Sequence, residues 1–183
     1  MKQIPLYTIG YGARHMAAFL AVLTAHHVAY LIDVRSKPYS RYKPEFSKSA
    51  FESHLKAHGI RYVFMGDTLG GQPEDPDCYT DGRVDYDKVC QKPLYQTGIG
   101  RLRDAWQQQL RVAVMCSEGK PEHCHRSKLI GVSLVAEGID VAHIDENDQL
   151  LTQDAVLGRL TQGQSSLFGN AFSQFASRKR TDA

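Results

Sequence analysis

Val112-Ala113-Val114-Met115-Cys116-Ser117-Glu118-Gly119-Lys120-Pro121-Glu122-His123-Cys124-His125-Arg126, continuing through Gly138 to Ile144, decides the fold. An apolar run, 112–115, reads as a strand. A polar turn follows, and then 121–137 reads as a helix, with Pro121 near its first turn and Gly138 just past its end. A second apolar run, 139–144, closes the unit. Runs of this length without polar alternation fit strands covered on both faces, as in a parallel sheet flanked by helices.

The same unit recurs on the N-terminal side. Residues 6–9 and 29–34 read as strands, separated by a helix over 16–27 with Phe19, Leu20, Val22 and Leu23 on its apolar side. Ser47 reads as the N-cap of a helix over 47–58 that stops before Gly59, and 60–65 reads as the next strand. The polar insert 66–83 carries Gly70-Gly71. A helix strongest over 98–109 follows, and 153–160 reads as a last short helix. Alternating strands and helices predict an α/β fold: a single three-layer, Rossmann-like domain over 1–160 with a mainly parallel sheet of about five strands. From 161 the composition turns to Gln, Ser, Gly and Asn and ends in Arg178-Lys179-Arg180, so 161–183 reads as a loose basic tail.

Composition narrows the function classes. The chain has 183 residues, 42% hydrophobic and 23% charged, which gives one core of its own without staples. A net charge of +2 argues neither for nor against nucleic acid. No apolar run reaches the roughly 20 residues a membrane span needs, and the N-terminus shows no secretory pattern. A cytoplasmic protein without a membrane partner is expected. Four cysteines are too few for a disulfide scaffold, so in a reducing compartment they point to chemistry or metal.

In an open parallel sheet, ligands bind beyond the carboxyl ends of the strands. Those ends read Gly10-Tyr11-Gly12, Asp33-Val34-Arg35-Ser36, Gly66-Asp67 leading to Gly70-Gly71, Cys116-Ser117-Glu118, and His143-Ile144-Asp145. The sharpest cluster is Cys116 to Arg126. A helix start attracts anions and lowers thiol pKa values, so Cys116 or Cys124 reads as a candidate thiolate and His125 as its base or positioning group. Arg126 offers a planar fork for an anion. A phosphatase or rhodanese loop fails, because the position such a loop gives to arginine falls near Glu122. A zinc site could use Cys116, Cys124, His125 and His123 or His143, but neighbouring Cys124 and His125 would point apart on a helix. Around Asp33, the residues Arg35, Arg41 and Lys43 alternate with Tyr39, Tyr42 and Phe46, a mix suited to phosphates and stacked bases. Asp33 is a candidate acid or base, or the partner that fixes Arg35. Gly10-Tyr11-Gly12 lacks the third glycine of a dinucleotide loop, leaving a turn that admits an anion.

Together these residues resemble the family known as domain of unknown function 488. The resemblance rests on Thr8-Ile9-Gly10-Tyr11, Asp33-Val34-Arg35-Ser36 with Ser40-Arg41, Leu69-Gly70-Gly71, and Cys116-Ser117-Glu118 followed by Cys124-His125-Arg126-Ser127. Many relatives open Thr-Ile-Gly-His-Ser, where this chain has Tyr11-Gly12. The resemblance implies a compact α/β domain with Asp33, Arg35, Arg41, Glu118, Cys124, His125 and Arg126 in one site, and it supplies no reaction. The candidate catalytic set is therefore Asp33, Glu118, Cys116, Cys124 and His125. The candidate substrate-binding set is Tyr11, Arg35, Arg41, Arg126, Gly70 and Gly71, and no residue is assigned to a metal. The expected function is an enzyme acting on an anionic, phosphate-bearing substrate, a nucleotide or a nucleic-acid derivative. The alternatives are a non-catalytic nucleic-acid-binding module and a cysteine-based redox or metal sensor. No cofactor is expected, zinc or iron being the alternative.

Overall fold

The computed structural model describes residues 3–161. The expected tail therefore lies, beyond Thr161, outside the described residues. Strands β1 (Leu6–Gly10), β2 (Tyr30–Asp33), β3 (Arg61–Phe64), β6 (Val112–Cys116), β7 (Val141–Ile144) and β8 (Leu150–Thr152) form one six-stranded sheet in the order β3-β2-β6-β1-β7-β8. All pairings are parallel except that of β7 with β8. A separate hairpin, β4 (Tyr79–Thr80) with β5 (Arg83–Val84), lies inside the polar insert.

The three layers follow from the period-two geometry of the strands. On β6, Val112, Val114 and Cys116 face one hydrophobic cluster, and Ala113 and Met115 face the other. The second cluster is closed by Phe19 and Leu23 of α1 (Met16–Ala25) and by Phe51 and Leu55 of α2 (Lys48–Ala57). The first is closed by Val89 of α4 (Tyr86–Cys90), Ile99 and Leu102 of α5 (Pro93–Gln107) and Leu134 of α6 (Val132–Ala136). Every residue of β1 and β6 is buried, as runs of unbroken apolar character require.

Three departures from the sequence reading have local causes. Strand β8 is an antiparallel edge of three residues, too short to announce itself beside Asp145–Gln149. The insert is partly ordered: it holds α3 (Gly66–Leu69), a 3-10 turn at Pro76–Cys78 and the hairpin. The region 121–137 is not one helix. A 3-10 turn at Pro121–His123 ends at an extended Cys124, and a π-helical segment, Arg126–Gly131, then runs into α6. The last helix, α7 (Gln153–Leu160), matches its expected limits.

Strand order creates the functional edge. The chain leaves β1 toward β2 on one side of the sheet and leaves β6 toward β7 on the other, yet β1 and β6 are neighbours. Their carboxyl ends therefore flank a point where the connections diverge, which is where open α/β sheets bind ligands. The register puts Gly10 beside Cys116 and Asp33 beside Met115, so the ends of all three strands stand level.

Candidate active site

Beyond the strands, the two loops stay paired. The Tyr11 N–H donates to the Cys116 carbonyl at 3.2 Å and the Gly12 N–H to the Ser117 carbonyl at 2.9 Å. Arg126 locks this arrangement. It is fully buried and donates from Nη1 to the Glu118 carbonyl (2.7 Å) and from Nη2 to the Gly119 carbonyl (2.8 Å). A Cβ at Gly10 would lie 1.7 Å from the Glu118 carbonyl oxygen and 2.3 Å from Arg126 Nη1, so only glycine lets the turn close here. Arg126 is thus a clamp on the turn that carries Glu118. It does not line the cavity in which Cys116 sits.

That cavity is about 310 Å³ and brings together Tyr11, Arg35, Cys116, Glu118, Cys124 and His125. Cys116 comes from the end of β6. Cys124 is extended (φ −115°, ψ 147°), whereas His125 has helical angles (φ −62°, ψ −21°). This break in conformation lets neighbouring side chains converge, which a continuous helix would forbid. The His125 Nδ1 lies 3.9 Å from Cys116 Sγ and 3.7 Å from Cys124 Sγ, and the three donor atoms are all within 4.8 Å of one another. The Cys124 thiol hydrogen-bonded to Cys116 holds the Cys116 thiol well below its ordinary value, against the cost of burial. The charge of His125, its ring N–H and the Glu118 backbone N–H act in the same direction. Burial, followed by the neighbouring Cys116 sulfur, pushes the Cys124 thiol well up. The two thiols are driven in opposite directions, Cys116 down and Cys124 up.

Arg35 forms the anion side. Its Nε and Nη2 donate to the two carboxylate oxygens of Asp33 at 2.9 and 2.7 Å, and Nη2 also donates to the Phe46 carbonyl at 2.9 Å. Tyr62 donates to the same carboxylate at 2.8 Å, and the Tyr11 ring lies 5.6 Å from the guanidinium carbon. Nη1 is buried and has no protein partner, and neither has the buried Nε2 of His125. Two residues that line one cavity thus each carry a buried nitrogen without a protein partner, which is uncommon in a folded protein.

Some expected residues take other roles. Asp33 is fully buried, and its oxygens are committed to Arg35 and Tyr62, so it fixes Arg35 and does not face the cavity. Arg41 is exposed and lies outside the cavity. Lys43 donates to the Gly12 and Arg14 carbonyls and ties the basic loop to the first turn. Gly70 and Gly71 serve by close approach: a Cβ would come 2.5 Å from Ser36 Oγ at the first and 2.8 Å from His125 Nδ1 at the second. His143 is no metal ligand, because its ring nitrogens are held by Thr8 Oγ1 and Gln153 Oε1, each at 2.7 Å. Sequence reading missed Gln72, Tyr86 and Lys128, which also line the cavity. Lys128 stands four residues past Cys124, in the π-helical segment. A larger cavity, about 890 Å³, shares Ser36, Lys37 and Gln72 with this one.

A three-layer α/β domain with two cysteines, an imidazole and a guanidinium at the carboxyl ends of β1, β2 and β6 is the class these observations define. Residues 15–132 match the model of the family described as domain of unknown function DUF488, and the chain belongs to that family. The matched span takes in Asp33-Arg35 and the whole stretch from Cys116 to Arg126, and begins after Gly10-Tyr11-Gly12. No curated protein and no solved structure matches the chain. Among the described residues, no helix is long and apolar enough to cross a membrane.

Proposed function

We propose that the protein is an enzyme acting on an anionic, phosphate-bearing substrate of nucleotide or nucleic-acid origin, with Cys116 as nucleophile. The observation that carries this reading is one cavity lined by Cys116, Arg35, His125 and Lys128, with Arg35 and His125 each keeping one buried nitrogen, Nη1 and Nε2, without a protein partner. Arg35 Nη1 and Lys128 receive the anion, a charge-assisted contact of the strong kind. Cys116 Sγ bonds to the electrophilic centre of the substrate while the bond to the leaving oxygen breaks. That oxygen departs with the electron pair and takes the proton of His125 Nε2. Water then bonds to the same centre, returns a proton to His125, and sulfur leaves as thiolate.

The test is a thermal-shift and turnover screen against inorganic phosphate, nucleoside monophosphates and short oligonucleotides, for the wild type and Cys116→Ser. The expected result is a shift with a phosphate-bearing ligand in both proteins, with turnover at least 10³-fold lower in the variant. Turnover unchanged by the substitution overturns the nucleophile. A shift with oligonucleotides alone, lost at high salt, makes the protein a binding module.

The three clustered donors favour a second reading, a zinc site with two sulfurs, one nitrogen and an open position. Zinc at about 2.3 Å from sulfur and about 2.0 Å from nitrogen would set S···N near 3.5 Å; the distances found are 3.7 and 3.9 Å. Zinc-bound histidines almost always anchor their second nitrogen, however, and Nε2 of His125 has no protein partner. The thiolate reading is therefore preferred. Stoichiometric zinc in the purified protein, lost in Cys124→Ser, would reverse that preference.

A further inference from the structure

The nucleophile accounts for Cys116 and leaves Cys124 unexplained. A hydroxyl could hydrogen-bond to Cys116 as well as a thiol does, yet a second sulfur stands there. Both cysteines line the 310 Å³ cavity, so a small reagent that reaches one reaches the other. Cys124 sits at an extended residue between a 3-10 turn and a π-helical segment, where no continuous helix holds its side chain away from Cys116. The other two cysteines, Cys78 and Cys90, line no part of this cavity.

We propose that Cys116 and Cys124 form a reversible dithiol–disulfide pair that reduces small hydroperoxides at the candidate active site. The proposal rests on the reading of Cys116 as the reactive thiolate. The Cys116 sulfur attacks the distal oxygen of the hydroperoxide, an S–O bond forms, the O–O bond breaks, and the alkoxide or hydroxide leaves and takes a proton from His125. Cys116 is now a sulfenic acid, oxidised by two electrons. The Cys124 sulfur then attacks Cys116 Sγ, the S–S bond forms, and the hydroxyl leaves with the Cys124 proton as water. One hydroperoxide and two thiols become one alcohol (or water), one disulfide and one water. A small dithiol reverses the oxidation by exchange, becoming a disulfide itself. At about 310 Å³ the cavity admits hydrogen peroxide and small alkyl hydroperoxides.

The test treats the full chain with a few equivalents of hydrogen peroxide, at least the two that a sulfinic acid needs, blocks free thiols with iodoacetamide, and measures tryptic peptides by mass. The Lys120–Pro121 bond resists trypsin, so both cysteines fall on one peptide, 112–126. The expected wild-type peptide is about 2 Da lighter than the reduced form and unalkylated, and dithiothreitol restores it. In Cys124→Ser, the same peptide should instead gain about 32 Da, the mark of a sulfinic acid formed where no second thiol intervenes. A wild-type peptide alkylated at both cysteines after peroxide, or overoxidised as in the variant, overturns the pair. Iodoacetamide without prior peroxide separates this from the parent reading. If Cys116 alkylates readily at neutral pH yet no disulfide forms, only the pair fails; if Cys116 resists both reagents, the thiolate reading fails with it.

Discussion

Arg126 shows how a residue can be essential to a site without touching its ligand. Its two terminal nitrogens each saturate a backbone carbonyl of the turn that follows β6, and burial lowers its pKa. Replacing it with methionine removes both donors, leaves the Glu118 and Gly119 carbonyls without these partners, and deletes two hydrogen bonds to a charged group. At about 1.5–3 kcal/mol for each such bond, Arg126→Met should cost roughly 3 kcal/mol or more of unfolding free energy. Urea denaturation reads this directly, and a loss below about 1 kcal/mol would return Arg126 to the anion-binding role its sequence position implied. Asp33 teaches the same lesson from the other side. As a carboxylate at a strand end it reads as an acid, a base or the partner of Arg35, and its three hydrogen bonds from Arg35 and one from Tyr62 select the last of these. Residue type and a place beyond the strand ends were legible for both; that Arg126 turns to backbone carbonyls was not, and for Asp33 the choice among its readings was not.

At the scale of elements, the site depends on two loops held closer than side chains normally allow. Gly10 ends β1 against the Glu118 carbonyl, and the paired loops carry Tyr11 on one side and Cys116 on the other. In Gly10→Ala the methyl group would meet backbone that cannot swing away. The substitution should destabilise the fold by roughly 1–3 kcal/mol and separate the loops. Its signature is a slower reaction of Cys116 with iodoacetamide in protein that is still folded, because the sulfur moves from His125. Unchanged stability and unchanged alkylation would show the approach to be looser than drawn. The strands and most helices could be read from apolar runs and capping residues, since burial on both faces leaves a plain pattern. The break at Cys124 could not. Pro121 and Gly138 bracket one apparent helix, and the segment inside it is held by a contact distant in sequence, Gln153 Nε2 donating to the Ser127 carbonyl, besides the local bond of Ser127 Oγ to the Pro121 carbonyl. That break makes Cys124 and His125 converge, and it overturns the sequence argument that they would point apart.

Across the whole molecule, one buried imidazole joins the sheet to the helices behind the site. His143 on β7 bonds through Nδ1 to Thr8 on β1 and through Nε2 to Gln153 at the start of α7, and Gln153 in turn donates to the Ser127 carbonyl at 3.0 Å. This chain of contacts holds the π-helical segment that follows His125. Burial pushes the His143 pKa down to about 4 from an ordinary 6.5; the Gln153 hydrogen bond opposes the shift and the charge of Arg126 adds to it. The folded ring is therefore neutral over a range where the unfolded ring takes up a proton. The contribution is fully present above pH 6.5 and declines as the pH falls toward 4, since the unfolded state binds more protons throughout that window. A shift of this size corresponds to about 3 kcal/mol by the bottom of the window. Urea unfolding at pH 7.0 and at pH 4.5 should show the wild type losing more stability than His143→Gln by an amount approaching that value, because the amide cannot titrate while the other acid-sensitive groups are shared by both proteins. Equal losses in the two proteins would mean that His143 is solvated in the folded state. The acid sensitivity of the fold would then belong to its carboxylates, Asp145 with its Arg159 partner foremost among them.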